Sequence, residues 1–171
     1  EILAEYESPL LRYVTQLIGR RYDEAQDVVQ DVFLKFHRQI ESGDGAEIRN
    51  VRCWLYRVAH NLAMDYGRSR RRRRQLQESA MRDPVLSERA SWSPAIDGEA
   101  EVAKRDLLRM ALRSLSDLPA EQKDVVLLKI FEGLTLREIG EITGLKIGTV
   151  NYRLTQGLQA LAARLKGDGA L

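Results

Sequence analysis

Cysteine is nearly absent: Cys53 is the one thiol in 171 residues, which excludes an internal disulfide and with it a disulfide-stapled secreted scaffold. Histidine is as scarce, with only His37 and His60, and no metal-ligand spacing joins them. Aromatic residues make up 6% of the chain, too few for the usual sheet protein. No apolar run approaches a membrane span or a signal peptide. What is present is a Leu-, Arg- and Glu-rich chain, 44% hydrophobic and 30% charged, the balance of a soluble helical protein. A reducing cytoplasm is the expected location. Cys53, beside Trp54 and in no motif, is expected to be a small buried hydrophobe.

The net charge of +2 conceals a segregation. Lys and Arg outnumber Asp and Glu by 14 to 11 in residues 1–74, fall behind by 2 to 6 in residues 75–102, and lead again by 11 to 8 in residues 103–171. Basic ends around an acidic middle point to a polyanion partner for the ends.

Apolar residues recur at helical spacing from Ile2 through Leu3, Tyr6, Leu10, Tyr13, Val14 and Leu17 to Ile18, with Pro9 predicting a kink or split. Asp23 and Gln26 have capping-box spacing, and a helix is expected from Glu24 to Ile40. Its inward stripe is Ala25, Val28, Val29, Val32, Phe36 and Ile40, which leaves Asp27, Gln30 and Asp31 on the polar side. Turn residues Ser42 to Gly45 end it. Val51 to Arg68 resumes the pattern through Trp54, Leu55, Val58, Leu62 and Met64, and five consecutive arginines, Arg70 to Arg74, then have to face solvent or phosphate. Gln75 to Val102, acidic and containing Pro84 and Pro94, reads as a flexible linker. Trp92 within it is either a docking contact or a stray exposed ring. Periodicity returns from Ala103 to Leu115, stops at Pro119, runs again from Ala120 to Phe131, and closes at Gly133. The expected architecture is all-α: a domain over 1–74, a linker over 75–102, and a four-helix domain over 103–171.

The most specific local signal runs from Leu134 to Leu154. Thr135 and Glu138 form a capping box, Gly140 is small where two helices cross, Gly144 permits a tight turn, and Val150 points back into the crossing. That is helix-turn-helix spacing, although an αα-corner shares it. Such a unit offers its second helix to the major groove. The candidate contacts are Lys146, Thr149, Asn151, Tyr152, Arg153 and Gln156.

With both ends read, the chain from Ile2 to Leu165 resembles the extracytoplasmic-function sigma factors of bacterial RNA polymerase. The run Asp23-Glu24-Ala25-Gln26-Asp27-Val28-Val29-Gln30-Asp31-Val32-Phe33-Leu34 is similar to the family's core-binding helix. Trp54-Leu55-Tyr56-Arg57-Val58-Ala59-His60-Asn61, followed by Asp65 and Arg68, is similar to its promoter-melting segment. The resemblance implies that Asp27, Gln30 and Asp31 bind core RNA polymerase. It implies that melted promoter DNA lies over Trp54, Tyr56 and Asn61 with Arg57 and Arg68 as basic neighbours, and that the Ser42 to Asn50 loop cradles a flipped base. It further implies that the second domain reads the upstream promoter element as duplex, that the acidic linker threads toward the RNA exit path, and that an anti-sigma factor holds the protein inactive. No cofactor, metal or catalytic residue is implied, and the free protein is expected to be monomeric. Each of these residues has a plain alternative: Asp27 and Asp31 as solvated carboxylates, Trp54 as core, Asn61 as a local hydrogen bonder. The sequence also departs from the family, since Arg153 is the one basic residue from Asn151 to Leu158. Lys146 stands where a capping residue or proline is usual, and Val51 where an aromatic is common.

Three other classes compete. A freestanding helix-turn-helix regulator leaves the first domain unexplained, and a small nuclease using carboxylates with His37 or His60 lacks ligand spacing and a nucleophile motif. An RNA-binding scaffold accounts for the arginines alone.

Overall fold

A computed structural model of the chain describes residues 2–19, 21–43, 48–78 and 113–167, and every regular element among them is helical. Two compact units result, the first carrying the first three helices and the second most of the last three.

In the first unit α1 spans Ile2–Ile18, α2 Tyr22–Glu41 and α3 Val51–Glu78, each packed on the other two. α1 runs unbroken through Pro9. Proline forfeits one backbone bond there, and the burial of Leu10, Tyr13 and Val14 immediately after it holds the helix together. The expected capping box on α2 is absent. The helix already begins at Tyr22, its cap position is Arg21 in extended backbone without a side-chain cap, and Asp23 stands inside the first turn. There Asp23 and Glu24 meet the positive end of the helix dipole, and Arg21 bonds Glu24 Oε1 at 2.6 Å. The inward stripe holds for Ala25, Val28, Val29 and Val32 and fades at half-buried Phe36. Ile40 is 49% exposed, because the last turn of α2 reaches past its neighbours.

Asn50 starts α3: its Oδ1 accepts the Cys53 N–H at 3.0 Å, an N-cap. Cys53, Leu55, Tyr56, Ala59, His60 and Ala63 form the buried face. Tyr13 and Tyr56 meet edge-on at 5.5 Å, and the Tyr13 hydroxyl lies 3.0 Å from His60 Nδ1. Helix α3 does not stop near Arg68. It carries Gly67 and the arginines onward to Glu78, since one glycine costs only about 1 kcal/mol against a run of good helix formers. Gln75 to Glu78, expected in the linker, are therefore helical. The rest of that expected linker, with Trp92 and the start of the second domain, lies outside the described residues.

In the second unit residues 113–116 are helical and lead to Pro119. Then follow α4 (Ala120–Ile130), α5 (Leu136–Thr143) and α6 (Ile147–Gly167). Helix α4 buries five consecutive residues, Asp124 to Leu128, and packs along α6. The close approach falls at Gly157, where a Cβ would stand 2.7 Å from Val126 Cγ2. Arg164 ties the far end of α6 back by donating to the Ser114 and Asp117 carbonyls at 3.2 and 3.4 Å.

Candidate nucleic-acid interface

The unit α5–turn–α6 is assembled by local chemistry. The Thr135 N–H and hydroxyl each donate to Glu138 Oε2 at 2.8 Å, and the Glu138 N–H returns a bond to Thr135 Oγ1 at 3.3 Å, so the expected capping box is present. Gly144 has φ +72°, the left-handed turn that a side chain would strain. Val150 is wholly buried, as the returning residue should be. Gly140 has a different neighbour from the one expected: a Cβ there would meet the Leu145 carbonyl oxygen at 2.9 Å, so the turn requires the glycine, not a helix crossing.

On α6, residues three and seven apart share a face. Thr149 and Tyr152 are exposed, Gln156 is half-buried, and together they form one stripe beside exposed Lys146. Asn151 is exposed as well, but two residues of helix turn it about 200° away from Thr149. Its carbonyl accepts the Thr155 hydroxyl at 2.9 Å on that other flank. Arg153 is directed inward to α4, its Nη2 2.8 Å from Glu121 Oε2. Nearby Asp124 is buried, and desolvation raises its carboxyl to about 6 although the Val125 N–H and the Arg153 charge both oppose the rise.

Helix α3 carries a second stripe. Arg57, Asn61 and Arg68 are exposed and lie with half-buried Trp54 along one side of the helix, and Arg72 continues the line. Trp54 packs edge-on against Phe36 at 5.5 Å, so it serves the core and the surface at once. Arg68 is paired with Asp65 at 2.6 Å, both well exposed. Tyr56 does not belong to this surface. It is fully buried, because two residues from Trp54 the helix has turned its ring into the packing with α1. In the expected base-cradling loop, Asn50 is committed to capping α3, and residues 44–47 lie outside the described residues. Burial alone would raise the Glu24 carboxyl, yet the neighbouring Tyr66 hydroxyl and Arg21, with Arg70 beyond, bring it below its ordinary value.

The third surface is on α2, where Asp27, Gln30 and Asp31 are all exposed. Leu34, one turn further on, is 51% exposed on the same side. Its spacing from Asp27, seven residues, was the signal available in the sequence. Among the described residues no group of three or more His, Cys, Asp or Glu gathers as metal ligands, and no helix is long and apolar enough to cross a membrane. His60 is in the core and exposed His37 lies 3.5 Å from Glu41 on α2.

Two known sequence families match the chain. Sigma-70 region 2 matches residues 2–73, and Sigma-70, region 4 matches residues 108–161, together well over half of the chain. The ECF RNA polymerase sigma factor SigL of Mycobacterium tuberculosis is 33% identical over 96% of this chain and 87% of its own length. The chain belongs to the ECF sigma factors. SigW of Bacillus subtilis is 28% identical over 97% and 88%. The sigma factor RpoE of Bartonella quintana, solved in complex with the anti-sigma factor NepR, superposes with a TM-score of 0.71 at 26% identity, covering 96% of this chain and 94% of that one. An ECF sigma factor acts in promoter recognition and the start of transcription, and its role is not catalytic.

Proposed function

We propose that the three surfaces divide the work of this sigma factor. Asp27, Gln30 and Asp31 on α2, with Leu34 among them, bind core RNA polymerase. The α3 stripe of Trp54, Arg57, Asn61 and Arg68 receives the melted promoter strand. Lys146, Thr149, Tyr152 and Gln156 meet the upstream element as duplex. The observation that carries this reading is the α3 stripe, where an indole, an amide and cations share one uncovered helix face. A separated strand offers bases to stack and phosphates to neutralise, whereas a duplex hides the first of these. The relevant domains are the first and second compact units, polymerase supplies all covalent chemistry, and no cofactor enters. The protein works in the cytoplasm as a monomer until it meets polymerase. The anti-sigma factor bound to the Bartonella quintana relative supports a similar partner for this chain.

The experiment is run-off transcription of genomic fragments with core polymerase, with and without the protein. Defined new starts are expected with the intact chain. Paired Asp27→Ala and Asp31→Ala changes should abolish them by preventing association with core, while Asn61→Ala should leave association intact and slow strand opening. A chain that binds duplex promoter DNA tightly by itself and adds no starts would return the freestanding regulator to first place.

A further inference from the structure

Between Ile147 and Ala163 the sole cation on α6 is Arg153, and its guanidinium does not point outward. It reaches α4, where Glu121 holds it at 2.8 Å; the Arg153 side chain keeps 24% of its exposure and that of Glu121 keeps 73%. The buried carboxyl of Asp124 lies close enough to feel the same charge. Leaving this site for a phosphate would give up the Glu121 pair and take the cation away from the Asp124 carboxyl, so both carboxyls compete with a phosphate for Arg153. A close approach of α4 and α6 lies beside the bond, since a Cβ on Gly157, one turn beyond Arg153, would stand 2.7 Å from Val126 Cγ2 and 3.4 Å from Gln122 Cβ. The stripe of Thr149, Tyr152 and Gln156 lies on the flank of α6 that this brace adjoins.

We propose that Arg153 is a positioning residue and not a DNA contact: paired with Glu121, it braces α6 against α4 and so sets the angle at which Thr149, Tyr152 and Gln156 meet the duplex. This rests on the reading that α6 faces the upstream element. It also accounts for a recognition helix so poor in basic residues, because its cation has a structural partner within the protein and the grip on phosphate has to come from elsewhere.

The test uses holoenzyme reconstituted with the full chain on a promoter found by run-off transcription, and measures affinity for that promoter relative to one with a scrambled upstream element. Arg153→Glu or Glu121→Arg alone should reduce this discrimination by roughly tenfold, the scale of one mispaired charge. The double exchange, Arg153→Glu with Glu121→Arg, made together with Asp124→Asn so that the carboxylate placed at position 153 meets no second one, rebuilds the brace with its poles reversed and should recover discrimination to within roughly threefold. A double exchange as weak as Arg153→Glu overturns the proposal, since a phosphate contact cannot be rescued from α4. Arg153→Gln, which removes charge without introducing repulsion, gives a second reading. A brace leaves the salt dependence of binding unchanged, whereas a lost phosphate contact flattens the log–log slope by about 0.9, which would also overturn it. Thr149→Ala and Gln156→Ala separate the underlying reading: if neither alters discrimination, α6 does not face the element and the proposal falls with that reading.

Discussion

Exchanging Asp124 for asparagine should make the second unit more stable at neutral pH and leave it unchanged in acid. Asp124 is only 6% exposed, its Oδ1 accepts the Val125 N–H at 2.7 Å, and burial lifts its carboxyl from 3.8 to about 6. A carboxyl raised on folding favours the fold only while protonated, so this contribution is complete below pH 3.8 and is lost as the pH rises to about 6. At about 1.4 kcal/mol per pH unit, the ionised group costs the fold at most about 3 kcal/mol at pH 7. Asparagine keeps the acceptor for Val125 and carries no charge. Asp124→Asn should therefore match the parent near pH 4, separate from it between pH 4 and 6, and exceed it by about 1–3 kcal/mol above pH 6. Native-state hydrogen exchange of the α4 and α6 amides in the full chain, corrected for intrinsic rates, reads this difference locally. Parallel protection curves across the range, or a parent more stable than the variant at pH 7, would refute the reasoning. The second outcome would mean that Arg153 more than compensates the buried charge.

The first unit should respond to pH in the opposite sense. Burial lowers the His60 pKa from 6.5, so the stability gained from keeping it neutral is full above pH 6.5 and is lost as the pH falls below that value. Tyr13→Phe removes the partner of His60 Nδ1 and should cost about 1 kcal/mol in urea unfolding; an unchanged midpoint would dismiss that bond as neutral. Gly157→Ala pushes a methyl against the buried Val126 side chain and should destabilise the α4–α6 contact by about 1–3 kcal/mol, with partial recovery on adding Val126→Ala. Thr135→Ala removes its side of the capping box and should lower stability by about 1 kcal/mol, visible first as faster exchange at the start of α5.

The parts of the molecule that were legible in the sequence are those specified by neighbours a few residues apart. Thr135 and Glu138, the turn at Gly144 and the return of Val150 depend on short spacings, and all three are present as read. Short spacing also misleads where two local options compete. Asp23 and Gln26 match a capping box, yet the Arg21–Glu24 pair is formed two residues earlier and α2 starts there. Punctuation by composition failed at Gly67, where the helical preference of the following arginines carried α3 on to Glu78. Tyr56 was placed with the DNA-facing residues by resemblance, although its spacing to Ala59, His60 and Ala63 marks it as inward. The Glu121–Arg153 pair joins two helices, and no spacing within either one announces it.

The unbroken course of α3 makes it a measuring rod with a fixed phase. Eighteen residues complete five turns and advance about 27 Å, so Arg72 stands above Trp54 at the same azimuth, with Asn61 and Arg68 between them. One residue inserted at Gly67 would swing the arginine end about 100° out of register with the tryptophan. Seven would bring it back to within about 20°, but about 10 Å farther away. Distance and direction between the indole and the distal cations are thus set by a single count of residues, with no joint among them to absorb an error.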